Sequence, residues 1–178
     1  MNSFLSKVYK QAAKNPKRIV FAEAYEDRTI TAIEEILKKK IAMPILIGNS
    51  SQIKNNAKRL KLKIDWHKTQ IVDPKNSKLK EKYAKLFYEA RKDKGITPKQ
   101  AASTMENIYY FGTMMVENND ADGMVSGLDC HTKDSVLPAF QIIKTKEKFH
   151  KVSGIFFMIL EKKVLLFSYC SINVEPNS

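Results

Sequence analysis

Two apolar periods alternate along this chain, and their alternation limits the possible folds more than any other feature. Arg18 to Glu23 (RIVFAE), Met43 to Ile47 and Gln70 to Val72 are short apolar runs, the last two closed by Gly48-Asn49 and Asp73-Pro74. Runs of this length between turn residues predict buried strands. Between them the spacing becomes helical. Ser3 to Lys14 aligns Phe4, Val8 and Ala12, and Asp27 to Lys39 aligns Ile30, Ile33, Ile36 and Leu37. A third helix is expected to reach about Leu60, and a fourth, Ser77 to Lys92, turns Leu79, Tyr83, Leu86, Phe87 and Ala90 inward before Gly95 ends it. Thr97-Pro98 predicts a new helix start, with Thr97 as N-cap and Pro98 first in the helix. Strands joined through helices by short connections predict an α/β fold, a mostly parallel sheet flanked by helices. After Lys151 the pattern changes: Val152 to Leu160 and Val164 to Ser171 flank Glu161-Lys162-Lys163 and read as a β-hairpin. The expected division is therefore an α/β domain over 1–150 and the first strands of an incomplete second domain over 151–178.

The 178 residues suffice for one hydrophobic core, or a core and part of another. Lys162 and its two charged neighbours interrupt the most apolar stretch, so no unbroken span of about 20 apolar residues offers a transmembrane helix. The amino terminus mixes Lys with apolar residues and lacks a signal-peptide core. Cys130 and Cys170 have neither metal-ligand spacing nor a disulfide framework, which points to a reducing cytoplasm. The net charge is +12, and 27 of the 31 basic residues are Lys. Reading of bases and bidentate grip on phosphate favour Arg, and no nucleic-acid motif is present. The lysines fall on polar helix faces, with a field suited to polyanionic metabolites.

The best candidate for chemistry is Asp122-Gly123-Met124-Val125-Ser126-Gly127, leading through Leu128 to Thr132 into a helix. Ser126-Gly127 closes a short strand, where open α/β sheets bind ligands. With Thr132 as N-cap, free backbone N–H groups there would face phosphate or pyrophosphate; strand, glycine and capping threonine equally form an ordinary α/β connection. His131 reads either as a general base or as a loop histidine. Cys130 lacks an Asp or Asn partner and reads as an inert thiol. His67 and His150 lie in Lys-rich segments, and Asp120 and Asp122 read as turn formers. Tyr109, Tyr110, Phe111, Met114 and Met115 form a stripe typical of a core. Among the four arginines, Arg28 reads as an ion-pair partner beside Glu26-Asp27. Arg91 divides between complementing a helix dipole and a bidentate grip on phosphate.

Seven segments occurring together resemble the phosphate acetyl/butyryltransferase family: RIVFAEAYEDRT, PILIGN, YEARKDKGIT, YFGTMMV, DADGMVSG, PAFQIIKT and LLFSYCSIN. DADGMVSG and YFGTMMV bring the chain nearer the acetyl-specific members than the butyryl-specific ones. The resemblance implies a three-layer α/β sandwich like that of isocitrate and isopropylmalate dehydrogenases, with the second domain only begun. It implies acetyl exchange between coenzyme A and phosphate, coenzyme A serving as substrate with no tightly held cofactor. Small-molecule substrates and a homodimer are expected, without nucleic acid or membrane. Carried onto this chain, it assigns substrate binding to Arg91, Ser126, Gly127, His131, Thr132 and Lys133. The catalytic residues are expected in the family's carboxyl-terminal half, which this stretch of sequence does not include. There are departures: Leu137 stands where Arg commonly precedes the Pro of PAFQIIKT, Cys130 where His is common, and His131 where Ser or Thr is common. A non-catalytic relative that at most binds coenzyme A or a partner subunit is the alternative, with a butyryl-specific transferase behind it. Dehydrogenases of similar fold are disfavoured by the missing nucleotide-binding signature.

Overall fold

A computed structural model describes residues 3–145, 154–161 and 163–168. Helix α1 (Ser3–Lys14) precedes strand β1 (Lys17–Phe21), and α2 (Asp27–Lys39) leads to β2 (Ala42–Ile47). Helix α3 (Ser50–Arg59) and a short turn then lead to β3 (Gln70–Val72). Next come α4 (Lys80–Arg91), α5 (Pro98–Thr104), α6 (Ile108–Glu117), β4 (Gly123–Val125) and α7 (Thr132–Ile142). The hairpin is β5 (Ile155–Ile159) and β6 (Val164–Ser168).

The first four strands form one parallel sheet in the order β3-β2-β1-β4. Side chains alternate along each strand, so each strand feeds two cores. Phe21 and Leu46 point into a core with Ile30, Ile33, Ile53 and Ala57 of α2 and α3. Val20, Ile45 and Ile47 point the other way, onto Tyr83, Phe87, Met105, Phe111 and Met115 from α4, α5 and α6. The result is three layers, helices on both faces of a parallel sheet, as the sequence pattern predicts. The stripe on α6 is core as expected, with Phe111 edge-on to Tyr83 at 5.1 Å. Gly112 lets that helix approach the sheet: a Cβ there would lie 2.9 Å from Met124 Sδ and 3.0 Å from Val20 Cγ1.

Pro44 lies within β2, where a missing N–H would ordinarily break a ladder. Pairing with β3 starts one residue later, at Ile45 with Gln70, so Pro44 precedes the ladder on that side. Thr97 caps α5 with Pro98 at the helix start, as its sequence predicts, and Gln100 completes a capping box.

Beyond the sheet, β5 and β6 pair antiparallel with Phe156 opposite Phe167 and Met158 opposite Leu165. The hairpin expected from the sequence is therefore present over these residues; 152–153 and 169–171 lie outside the described residues. Its side chains are exposed on both faces, Phe156 at 54% and Phe157 at 59%. Phe4 of α1 stacks on Phe157 at 6.0 Å.

At the amino end of the sheet, Arg18 clasps Asp122 across the β1–β4 pair. Its guanidinium donates from Nε to Oδ2 at 3.2 Å and from Nη2 to Oδ1 at 3.0 Å, and its main-chain N–H donates to Oδ2 at 2.8 Å. The two residues read as turn formers lie in the bend between α6 and β4, as expected, and are anchors as well: Asp122 binds Arg18, and Asp120 accepts from Tyr83 Oη at 2.6 Å. The Arg18 side-chain and main-chain donors pull the Asp122 carboxyl down to about 2. A depressed folded-state value makes the contribution complete above the ordinary Asp value of about 4 and removes it as pH falls towards 2. Urea unfolding should therefore place the wild type above Asp122→Asn by a constant margin at pH 5–7, narrowing below pH 4 (roughly the ordinary carboxyl value). A margin independent of pH would count against this linkage.

Candidate functional site

Strand-to-helix connections at the carboxyl end of the sheet build a cavity of about 310 Å³. Phe21, Glu23, Arg28, Thr29, Ser126, Gly127 and Leu128 are among its lining residues. A larger cavity of about 620 Å³ lies at the amino ends of β1 and β2, lined by Arg18, Leu37, Lys40, Met43, His67 and Lys68 among others. Position decides between them. Parallel strands carry their connections into helix N-termini at the carboxyl end, where N–H groups and dipoles favour anions. The smaller cavity is at that end and includes two of the residues singled out from the sequence, Ser126 and Gly127.

Glu23 organises this end of the sheet. It follows β1 in a run of buried residues and is only 2% exposed, so its carboxylate requires partners. Oε1 accepts from Gly127 N at 2.9 Å, Leu128 N at 3.1 Å and Tyr109 Oη at 3.2 Å. Two successive N–H groups converging on one oxygen make an anion-holding nest. Here the anion belongs to the protein. The main-chain N–H groups of Gly127 and Leu128 are thus satisfied by Glu23, whereas the N–H groups that the sequence offers to an anion lie further on, at the start of α7. Gly127 has φ +101, a conformation that side chains with a Cβ rarely adopt. Burial, followed by the neighbouring Cys130, pushes the Tyr109 hydroxyl above its ordinary value. Tyr25 reinforces the loop from the other side, donating to Asp129 Oδ2 at 3.3 Å.

The N-cap of α7 is His131, one residue earlier than expected, and its side chain makes no capping hydrogen bond. Thr132 and Lys133 thus open the helix, both exposed, with Asp134 in the same first turn. Arg91 ends α4 and is half-buried. Its charge opposes the upward push of burial on the Tyr110 hydroxyl, which donates to Gln141 of α7 at 2.9 Å. Among the described residues no hydrogen bond or ion pair joins Arg91 to Ser126–Lys133. Its link to them runs through the first turn of α6, where Tyr110 neighbours Arg91 and Tyr109 touches Glu23.

Arg28 contacts the cavity more directly. It lines the wall beside Ser126 and Gly127 from the first turn of α2, with Glu26 at 3.9 Å and a side chain 69% exposed. The sequence reading gave it an ion-pair role only, and gave Glu23 and Tyr109 no role beyond strand and core. A charged residue closing an apolar run was the available signal for Glu23, since such a group must be satisfied when buried. Cys130 is a free, half-buried thiol, and His67 is exposed at the far end of the sheet. His150 and Cys170 lie outside the described residues. Among the described residues no cluster of His, Cys, Asp and Glu is arranged for a metal, and no helix is long and apolar enough to cross a membrane.

Comparison with known proteins places this geometry in context. The family model described as phosphate acetyl/butaryl transferase matches residues 3–178. The chain is 41% identical to the phosphate acetyltransferase of Thermoanaerobacterium thermosaccharolyticum over 182 aligned positions, covering 99% of the chain and 54% of that relative. It is 39% identical to the phosphate acetyltransferase of Bacillus subtilis, covering 100% of the chain and 54% of the relative. Among solved structures, the EutD phosphotransacetylase from Staphylococcus aureus superposes with a TM-score of 0.84 at 36% identity, covering 98% of this chain and 52% of that one. A phosphotransacetylase from Streptococcus pyogenes superposes at 0.88 with 31% identity, covering 98% and 53%. The chain thus spans about half the length of these relatives.

Replacing Gly127 by Ala tests the loop geometry. Space is available, since the nearest atom to a Cβ there is Ser135 Oγ at 3.8 Å, so backbone strain alone should act. The variant should lose about 1–3 kcal/mol in urea unfolding. An unchanged midpoint would show that the loop does not require this conformation.

Proposed function

The chain belongs to the phosphate acetyl/butaryl transferase family, and from that premise we propose that it serves reversible acetyl transfer between acetyl-coenzyme A and phosphate, a phosphate acetyltransferase. The observation that carries the reading is the carboxyl-end cavity, where Arg28 faces Ser126 and Gly127 across the ends of β1 and β4. Its supports are an arginine fork, a helix start at α2 and a braced loop leading to α7, a set suited to a small phosphorylated ligand. The relatives compared above are named for acetyl transfer, which favours an acetyl over a butyryl donor.

In the forward direction the thiol of coenzyme A gives its proton to a base, and the thiolate attacks the acetyl carbonyl of acetyl phosphate. A C–S bond forms, the C–O bond to phosphorus breaks, and the electron pair leaves with phosphate. Cations at the leaving phosphate and donors at the carbonyl oxygen lower the barrier. In this reading Arg28, Arg91 and Lys133 supply positive charge. Ser126, Gly127, His131 and Thr132 form the substrate-facing segment, with the ring of His131 not engaged in capping α7. The base is assigned to the remainder of the family fold, beyond the residues of this sequence. We place 1–150 in a first α/β domain and 151–178 at the start of a second, with substrates rather than a tightly held cofactor between them. A homodimer, cytoplasmic and without nucleic-acid or membrane partners, completes the proposal.

Calorimetric titration tests it. The purified chain should bind coenzyme A and acetyl phosphate saturably, with inorganic phosphate suppressing the acetyl phosphate signal. Arg28→Ala should weaken acetyl phosphate by about 10- to 100-fold, the loss of one charge-assisted contact. Absence of binding, or an unaltered affinity in that variant, would overturn the assignment. Loss of coenzyme A thiol on adding acetyl phosphate reads turnover directly.

A further inference from the structure

Glu23 is a buried carboxylate to which the transfer reaction assigns no task. We propose that Glu23 is the positioning residue of the substrate loop, holding Ser126 to Thr132 in its working conformation before any ligand arrives; this rests on the reading of that loop as substrate-binding. Three features carry it. The side chain is 2% exposed and lines the cavity, yet its Oε1 is committed to three protein donors. Two of those donors, Gly127 N and Leu128 N, are neighbours in the loop and lie 104 and 105 residues away in sequence. Gly127 adopts the left-handed conformation that turns both N–H groups to the same point.

A loop whose main-chain donors converge on a ligand stays unsatisfied, and so mobile, until the ligand binds. Here the carboxylate stands permanently where such an anion would stand. The loop is therefore preorganised by the protein, and substrate need not pay the ordering entropy. Tyr109 Oη supports the same oxygen from α6, so the carboxylate is fixed from both core and loop. Reach matters more than charge in this arrangement. A group of the same length with an oxygen at its tip can hold both N–H groups, whereas a shorter carboxylate cannot.

That difference supplies the test. Amide hydrogen exchange at Gly127 and Leu128 is followed in the wild type, Glu23→Gln and Glu23→Asp, with the amides of Ile45 to Ile47 in β2 as an internal reference. Affinity for coenzyme A is measured on the same samples. Glu23→Asp should speed exchange at the two loop amides by about 10-fold or more while β2 is unchanged, and should weaken binding in parallel. Glu23→Gln should remain within about threefold of wild type in both, because its amide oxygen keeps the acceptor in place. Wild-type exchange in Glu23→Asp would overturn the proposal, as would a Glu23→Gln variant as impaired as Glu23→Asp, since that pattern marks charge rather than position. If Glu23→Asp changes β2 as well, the role is global stability and the proposal falls. Should the wild type bind no coenzyme A, the functional reading fails while loop exchange still decides whether Glu23 positions the loop.

Discussion

Strand β1 meets β4 only after roughly a hundred residues of intervening chain, and fasteners at both ends hold that meeting. The parallel register sets Ile19 beside Gly123, Val20 beside Met124 and Phe21 beside Val125. At the amino end Arg18 clasps Asp122, and at the carboxyl end Glu23 holds Gly127 and Leu128. The two fasteners differ in kind. The Arg18–Asp122 pair is partly exposed, 41% and 34%, so water screens it and its main effect is to fix geometry. Glu23 is buried, and removing it would take the acceptor away from two main-chain donors of the loop. Gly112 brings α6 onto the same two strands, carrying Tyr109 to Glu23. The cavity is a consequence of this alignment, since its walls are the residues that follow β1 and β4.

The arginines divide along the same lines. Arg18 and Arg59 are bound to carboxylates, the first to Asp122 and the second to Asp27 at the start of α2. Their planar forks serve long-range structure, which a flexible ammonium would hold less well. Most lysine pairs are local instead, although Lys80 reaches Glu106 and Lys82 lies 3.9 Å from Asp120. Lys38 with Glu34, Lys39 with Glu35 and Lys92 with Glu89 are pairs one helical turn apart on exposed surfaces. The net charge of +12 therefore describes a solvated surface more than a site. Arg28 and Arg91 remain for other work, both near the carboxyl end of the sheet.

Local chemistry was legible in the sequence, and long-range chemistry was not. Helices α1 and α2, the short strand β3 and the N-cap at Thr97 follow from spacing and neighbours within a few residues. The Tyr109–Met115 stripe announces burial because its period matches a helix. Glu23 could be placed at a strand end, but its partners sit on a loop more than a hundred residues later. Nothing in a single sequence connects the two. Asp122 was read only in part for the same reason: its local neighbours imply the bend that it occupies, but not the bond to Arg18. At His131 the error was one residue, because Thr132 is the better capping side chain yet the chain enters the helix a residue earlier with no side-chain cap at all.

Leu137 acquires a physical meaning in this setting. It lies four residues beyond Lys133, one turn along the same face of α7, and it is half-buried. An arginine there would extend a fork from the middle of that helix, where leucine contributes only packing. In the proposed reading positive potential then comes from the dipole and Arg28 at α2, the dipole and Lys133 at α7, and Arg91 at the end of α4. Asp27 and Asp134 stand in the same first turns and oppose it. Glu23 would oppose it further, except that two main-chain N–H groups and a phenol already face its charge. In the proposed reading an anion at this end of the sheet would be met by few cations, and the satisfied state of Glu23 would be a condition for holding it at all.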